Sequence, residues 1–227
     1  MSNPNISLNS FIKTYDNVLT GQFCREVCQK MDNDNRKKLG VFKKGYEEKT
    51  DPSFKNSLDL KISTLSEWKD EDEIFFLTIS QFLEKYLKDV QDSTSGKFFY
   101  GNPEDYYSDT GYQVKVYKPN GHYDWHSDQA IDAYAGVRAL SFIWYLNDDF
   151  DEGETEFFNG EKIIPKTGRL LIFPANWMYV HRGCTVKNKN KYIATGWYCH
   201  QHPQIKDMID TVINKNNQRR YLGVKIN

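Results

Sequence analysis

The chain of 227 residues carries 30 basic and 31 acidic side chains, a net charge of -1, with 39% hydrophobic and 15% aromatic residues. The balanced charge argues against a nucleic-acid or anionic-membrane surface built on electrostatics. The 15 Tyr, 14 Phe and 5 Trp supply enough bulky apolar surface to exclude a disordered chain. No apolar run approaches ~18 residues. The opening MSNPNISLNSF has neither the basic start nor the apolar stretch of a signal peptide, so a cytoplasmic chain with no membrane partner is expected.

One domain over 1–227 is expected, made of an N-terminal helical support region (1–110), a β core (111–200) and a C-terminal helix (201–227). Residues 10–19 predict a short strand. Thr20 reads as the N-cap of a helix with Phe23, Val27, Cys28 and Met31 on its apolar face. Residues 32–57 are polar and read as an exposed excursion. A second helix is predicted from Ser66, with Glu67, Asp70, Glu71, Asp72 and Glu73 at its positive end. Its apolar positions are Ile74, Leu77, Ile79, Phe82, Leu83, Tyr86 and Leu87, and 91–110 reads as loop.

From Gly111 the pattern changes to short strand-like runs parted by turn residues: 112–118, 139–146, 154–158, 162–164, 169–173, the Tyr-Val before His181, and 192–198. No run of helical length lies between them. That pattern predicts an antiparallel sandwich or jelly roll with the early helices covering one sheet from outside. The tail, with Ile205, Met208, Ile209 and Val212, predicts a final helix. Cys24, Cys28, Cys184 and Cys199 form no C-x-x-C and read as free thiols in a reducing compartment.

The chemistry concentrates in NGHYDWHSD, residues 120–128, which offers two H-x-D units: His122 with Asp124 and His126 with Asp128. In an extended segment residues i and i+2 project to one side, so such a pair can grip one face of a metal ion. A distant His181, beyond the apolar strand RLLIFP, would complete a 2-His-1-carboxylate facial triad, the set that leaves half of an octahedral iron open. An isolated H-x-D in a loop is more often a turn with an exposed imidazole. The preceding strand and the second strand-end histidine favour the metal. Cys199, His200 and His202 form a C-H-x-H that lacks the second pair a structural zinc needs.

The series Tyr117, Gly121, Tyr123, His126, Asp128, then Arg138 to Asn147, then Gly153 to Phe157, then Gly168 to Pro174, His181-Arg-Gly, Lys191 and Trp197 resembles the Fe(II)- and 2-oxoglutarate-dependent dioxygenases, in the prolyl 4-hydroxylase-like branch. The resemblance covers about residues 112–200. It implies a mainly β fold with flanking helices, a double-stranded β-helix of the jelly-roll, cupin-like type. It selects His126, Asp128 and His181 as the ligands of Fe(II). By the same resemblance Lys191 and Tyr145 hold the distal carboxylate of 2-oxoglutarate, and Tyr117, Thr155 and Trp197 also bind this cosubstrate. Arg138 and Trp125 are the candidate substrate contacts, with the alternatives that Arg138 orders the strand entrance and Trp125 belongs to the core.

A buried carboxylate must be paired and hydrogen-bonded, which suits a lysine with a neighbouring hydroxyl. Lys191, Ile193, Thr195 and Trp197 share one strand face, as do Ser141, Ile143 and Tyr145. Lys191 also ends the run KNKNK, and by itself would read as a solvated turn residue. The expected reaction consumes O₂ and 2-oxoglutarate, releases succinate and CO₂, and hydroxylates an unactivated C–H, first of all in a prolyl residue of a peptide or protein. A free amino acid or small metabolite is the nearest rival substrate. A jelly-roll binding or sensor domain without catalysis is a rival of another class.

Overall fold

The structure is a computed structural model and describes residues 6–44, 47–97, 107–132 and 136–200. Two antiparallel sheets face each other. The larger contains, in spatial order, the strands Lys13–Tyr15, Leu170–Pro174, Gly136–Tyr145, Lys191–His200, Gln113–Tyr117, Leu58–Lys61 and Lys38–Leu39. Tyr107–Asp109 adds to the Lys191–His200 strand, and Ile131–Asp132 adds to Gly136–Tyr145. The smaller sheet runs Lys162–Ile163, Thr155–Phe157, His181–Gly183, His122–His126 and Lys55–Asn56. The strand order crosses between distant parts of the chain, as a jelly roll requires.

The period of two along each strand divides the apolar residues between two cores. Leu140, Phe142 and Trp144 point to one side, with Val114, Val116, Leu170 and Ile172. They pack beneath two helices, α1 (Gly21–Asn33) and α2 (Lys69–Ser93). Ile143 and Tyr145 point to the other side, with Tyr117, Leu171, Phe173 and Ile193, and meet Phe157 and Ile163 of the smaller sheet. The outer core holds the helices on. The inner core sets the spacing between the sheets, and therefore the site.

Thr20 caps α1, its hydroxyl accepting the Phe23 amide at 3.2 Å. The first turn of α2 carries Asp70, Glu71 and Asp72, which suits its positive end. Gly168 has φ +78°, and a Cβ there would run into the Leu19 carbonyl. The larger sheet's Leu170–Pro174 strand thus starts from a turn that only glycine fits against the lead-in to α1.

Several expectations need correction. The helix faces are rotated: α1 buries Cys24 with Val27 and Met31, and α2 buries Phe75, Ile79, Leu83, Tyr86 and Val90, while Ile74 and Leu77 are exposed. Both sides of α2 are rich in apolar residues, so periodicity alone underdetermines its face. The strand predicted over 10–19 is only Lys13–Tyr15, preceded by a 3-10 turn at Leu8–Phe11. Of the Tyr-Val before His181, Tyr179 ends a 3-10 turn, Trp177–Tyr179, Val180 follows it as an extended cap, and the strand begins at His181 itself. The stretch 32–57 is not a plain excursion. Lys38–Leu39 joins the larger sheet, Lys55–Asn56 joins the smaller, and Phe42–Lys44 pairs with Glu47–Lys49. Leu58–Lys61, His122–His126 and, in the predicted loop, Tyr107–Asp109 are strands that sequence reasoning missed. The predicted tail helix lies outside the described residues.

Phe75 is fully buried and its ring packs on Phe23, Tyr112 and Trp144 at centroid distances of 5.6, 5.9 and 4.9 Å. Phe75→Ala is expected to lower stability by about 3–5 kcal/mol. Urea denaturation measures this, and a change below ~1 kcal/mol would show that α2 does not clamp the larger sheet.

Candidate active site

His126 ends one strand of the smaller sheet and His181 opens its neighbour. The two are directly opposite in the antiparallel register, so imidazoles 55 positions apart in the chain meet with ring centroids 4.3 Å apart. Asp128 follows two residues after His126. Its Oδ1 lies 3.6 Å from His126 Nε2 and its Oδ2 3.9 Å from His181 Nε2. One ligand atom from each residue falls within 4.8 Å of the others, and no other such group of three occurs among the described residues. The alternative pair does not converge. His122 places its two ring nitrogens 3.2 and 3.0 Å from the carbonyls of Asn120 and Ser53. Asp124 accepts the Trp125 amide.

The orientation of both imidazoles is fixed from behind. His126 Nδ1 lies 2.7 Å from the Asp124 carbonyl, and His181 Nδ1 lies 3.0 Å from the Tyr179 carbonyl. A carbonyl can only accept, so each Nδ1 carries the proton and each Nε2 presents a lone pair to the site. Tyr123 stacks on the His126 ring at 3.5 Å, and Phe173 meets the His181 ring edge-on at 4.8 Å. Ser141 donates to Asp128 Oδ2 at 2.7 Å and aims the carboxylate.

Burial pushes the His126 imidazole below its ordinary range, and the nearby His181 pushes it the same way. Burial alone would raise the Asp128 carboxyl. The imidazoles of His181 and His126, the Arg138 guanidinium and the Ser141 hydroxyl more than offset this and hold it low. A neutral imidazole and an anionic carboxylate are the forms that ligate a metal. Two imidazole nitrogens and one carboxylate on a single side form a donor set that fits ferrous iron with open positions.

These groups open on a cavity of about 860 Å³ between the sheets. At one end stands Lys191, 3% exposed, its ammonium donating to the Gly153 carbonyl at 2.6 Å. The Tyr117 and Tyr145 rings lie 5.5 and 5.7 Å from that nitrogen. Tyr145 donates to Thr155 Oγ1 at 2.7 Å. Burial pushes the Lys191 ammonium down to about 8. A carboxylate at this end would favour the charged form and find hydroxyl donors beside it. So Lys191, Tyr145, Tyr117 and Thr155 are gathered as the sequence reading expects.

Trp197 is not with them. It lies on the same strand face as Lys191 but six residues along, roughly 20 Å by the rise of a strand. There the Arg138 guanidinium covers its ring at 3.6 Å. It walls the opposite end of the same cavity from Lys191. Arg138 also reaches the Asp128 carbonyl at 3.4 Å. Trp125 stands at the mouth, with Arg182 4.8 Å from its ring centroid.

Three contributors were missed. Alternation puts Ser141 on the inward face, and its bond to Asp128 is visible only in the structure. Lys115 is 6% exposed and lines the cavity. It alternates with Gln113 and Tyr117, a pattern that could have found it. Lys55 is buried in an ion pair with Asp59 at 2.7 Å, with no signal in its polar surroundings.

Residues 112–199 match the model of the 2OG-Fe(II) oxygenase superfamily. A putative prolyl 4-hydroxylase of Acanthamoeba polyphaga mimivirus is 33% identical over 104 residues, covering 38% of this chain and 43% of that relative. The match thus spans less than half the length of the curated relative. Among solved structures, the 2OG complex of a viral collagen prolyl hydroxylase from Paramecium Bursaria Chlorella virus-1 aligns with a TM-score of 0.55 and 19% identity, over 85% of this chain and 97% of that one. A Pseudomonas putida prolyl-4-hydroxylase aligns with a TM-score of 0.59 and 16% identity, over 86% and 96%. A Trichoplax adhaerens prolyl hydroxylase, bound to a hypoxia inducible factor peptide fragment, aligns with a TM-score of 0.62 and 15% identity, over 88% of each chain. At these identities the structural likeness establishes the jelly-roll fold. The resemblance read from the sequence holds.

Ser141→Ala is expected to weaken divalent-metal binding by about 10–100-fold. Anaerobic calorimetry with Fe(II) measures it, and an unchanged affinity would remove Ser141 from the site. The depressed His126 means that the unfolded chain binds more protons than the folded one as pH drops below the ordinary imidazole value of 6.5. The metal-free protein should therefore lose stability over that fall, and His126→Gln should flatten the curve. Denaturant midpoints at pH 7.5 and 5.5 test this; parallel shifts in both proteins would contradict it.

Proposed function

We propose that this chain, whose residues 112–199 match the 2OG-Fe(II) oxygenase superfamily, is an Fe(II)- and 2-oxoglutarate-dependent dioxygenase that hydroxylates a prolyl residue of a peptide or protein. The observation that carries the reading is the convergence of two Nε2 lone pairs and the Asp128 carboxylate at the wall of a cavity whose far side holds a buried lysine. The prolyl assignment is supported by the mimiviral relative and by the fold neighbours. Four free cysteines support a reducing, cytoplasmic setting.

His126, Asp128 and His181 would hold the iron on one side. When bound with 2-oxoglutarate and O₂, the iron supplies the oxidising power to replace an unactivated C–H by C–OH, with succinate and CO₂ as coproducts. The chain's own share is placement and dryness. The tethered Nδ1 protons keep the imidazoles from rotating, so the lone pairs are set before any metal arrives. Lys191 and Tyr145 orient the cosubstrate by its distal carboxylate, away from the metal ligands. The inner core, with Phe157, Phe173 and Ile143, keeps water from the rear of the site. The cavity opens to solvent beside the exposed Trp125, where a peptide can approach.

Asp128→Ala should remove iron binding and succinate formation together. Wild-type protein given Fe(II) and 2-oxoglutarate without oxygen should show a visible charge-transfer band. A folded protein with no band would favour the non-catalytic binding domain. Lys191→Met should weaken 2-oxoglutarate binding by roughly 10–100-fold, the worth of a hydrogen-bonded ion pair, with iron affinity kept. Mass spectrometry of peptides with and without proline, against free proline, decides the substrate: a 16 Da gain confined to free proline would overturn the peptide assignment.

A further inference from the structure

The cavity has a second cationic end that the reaction as described does not use. Lys115 sits in the middle of Gln113–Tyr117, opposite Asp59 on one neighbouring strand and Ile193 on the other. It is 6% exposed, yet among the described residues its ammonium has no hydrogen-bond acceptor and no carboxylate within ion-pair distance. The acid beside it is already engaged. Asp59 accepts from Lys55 at 2.7 Å and from Ser57 at 2.8 Å. The second acid, Asp128, belongs to the metal group.

Lys115 and Arg138 both approach the Trp197 ring, the ammonium nitrogen at 5.6 Å and the guanidinium carbon at 3.6 Å from its centroid. Arg138 Nε is buried and likewise lacks a partner. A guanidinium N–H buried without an acceptor is costly, and an ammonium that opens on the cavity with no acid of its own adds a second donor for an arriving anion. Burial, and next the charge on Lys55, push the Lys115 ammonium down to about 8, as expected for a cation short of a partner. This end is distinct from the Lys191 end, where the Gly153 carbonyl, Tyr117 and Tyr145 surround the other lysine.

We infer that Lys115, with Arg138 beside it, is a specificity-determining anion subsite that takes a carboxylate of the substrate rather than of the cosubstrate. The inference rests on the oxygenase reading above and deepens it. The favoured substrate carries a carboxylate close to the reacting proline: an acidic side chain next to it, a chain terminus, or the carboxylate of the free amino acid. A charge-assisted contact in a dry cavity makes such a substrate bind about tenfold or more better than its neutral counterpart.

The test is calorimetry on the full chain loaded anaerobically with Fe(II) and 2-oxoglutarate. The probes are acetyl-Gly-Asp-Pro-Gly-amide and acetyl-Gly-Pro-Asp-Gly-amide against their Asn counterparts, acetyl-Gly-Gly-Pro against its amide, and proline against prolinamide. The inference expects at least one pair to favour the carboxylate about tenfold or more, and the pair that does so names its source. Lys115→Met and Lys115→Gln should bring the preferred probe to the level of its neutral counterpart while 2-oxoglutarate affinity stays unchanged, which also reports that the variants are folded. Equal affinities within every pair in the wild type overturn the inference. So does a preference that survives both variants, or a loss of 2-oxoglutarate affinity in place of the preference. Replacing Pro by Ala in the preferred probe separates the two readings. An unchanged affinity defeats the prolyl assignment and leaves the subsite standing, whereas a preference for Pro without one for the carboxylate does the reverse.

Discussion

The pairing of His122–His126 with His181–Gly183 is the constraint on which the site depends. It brings together two residues far apart in the chain, and it does so through backbone hydrogen bonds that neither imidazole contributes to. The imidazoles are then aimed by carbonyls two residues upstream of each. The same local device acts twice, once on each strand. Sliding the pairing by one residue would turn one ring to the opposite face of the sheet, so the metal group and the strand register are specified together.

That register is itself held by the inner core. Phe157 and Phe173 press on the His181 ring at centroid distances of 5.6 and 4.8 Å, and Tyr123 lies flat on His126. The packing that separates the sheets is thus also the packing that walls the ligands. The larger sheet contributes chemistry through alternation. Ser141, Ile143 and Tyr145 look inward from one strand, and Lys191, Ile193, Thr195 and Trp197 from the next, while their neighbours hold the helices. One pair of central strands therefore supplies a positioning hydroxyl, a cosubstrate clamp and a substrate wall.

What could be seen in the sequence follows from how local each signal is. The alternation in 139–146 and 192–198 assigns inward and outward faces correctly, because a half-buried strand writes its environment in every second residue. The Thr20 cap was equally readable. The face of α2 was not, since Phe75 and Phe76, or Leu77 and Ile79, are interchangeable to a helical pattern and only the sheet beneath decides. The strand His122–His126 was hidden because its residues are polar and serve the site, so function overrides the strand pattern where the chemistry sits. Lys55 shows the limit from the other side. A lysine's place in a cavity depends on strands contributed from elsewhere, and composition assigns lysines to solvent.

The polar stretch before Ser57 lends a two-residue strand to the larger sheet through Lys38–Leu39 and another to the smaller through Lys55–Asn56, and residues between them line the cavity. Because it is stitched at both ends to different layers, it cannot swing aside as a flap on one hinge. Widening the entrance would mean unzipping an edge from each layer. The entrance is thus bordered by a strip of chain that both layers share, and the two sheet edges are coupled through it.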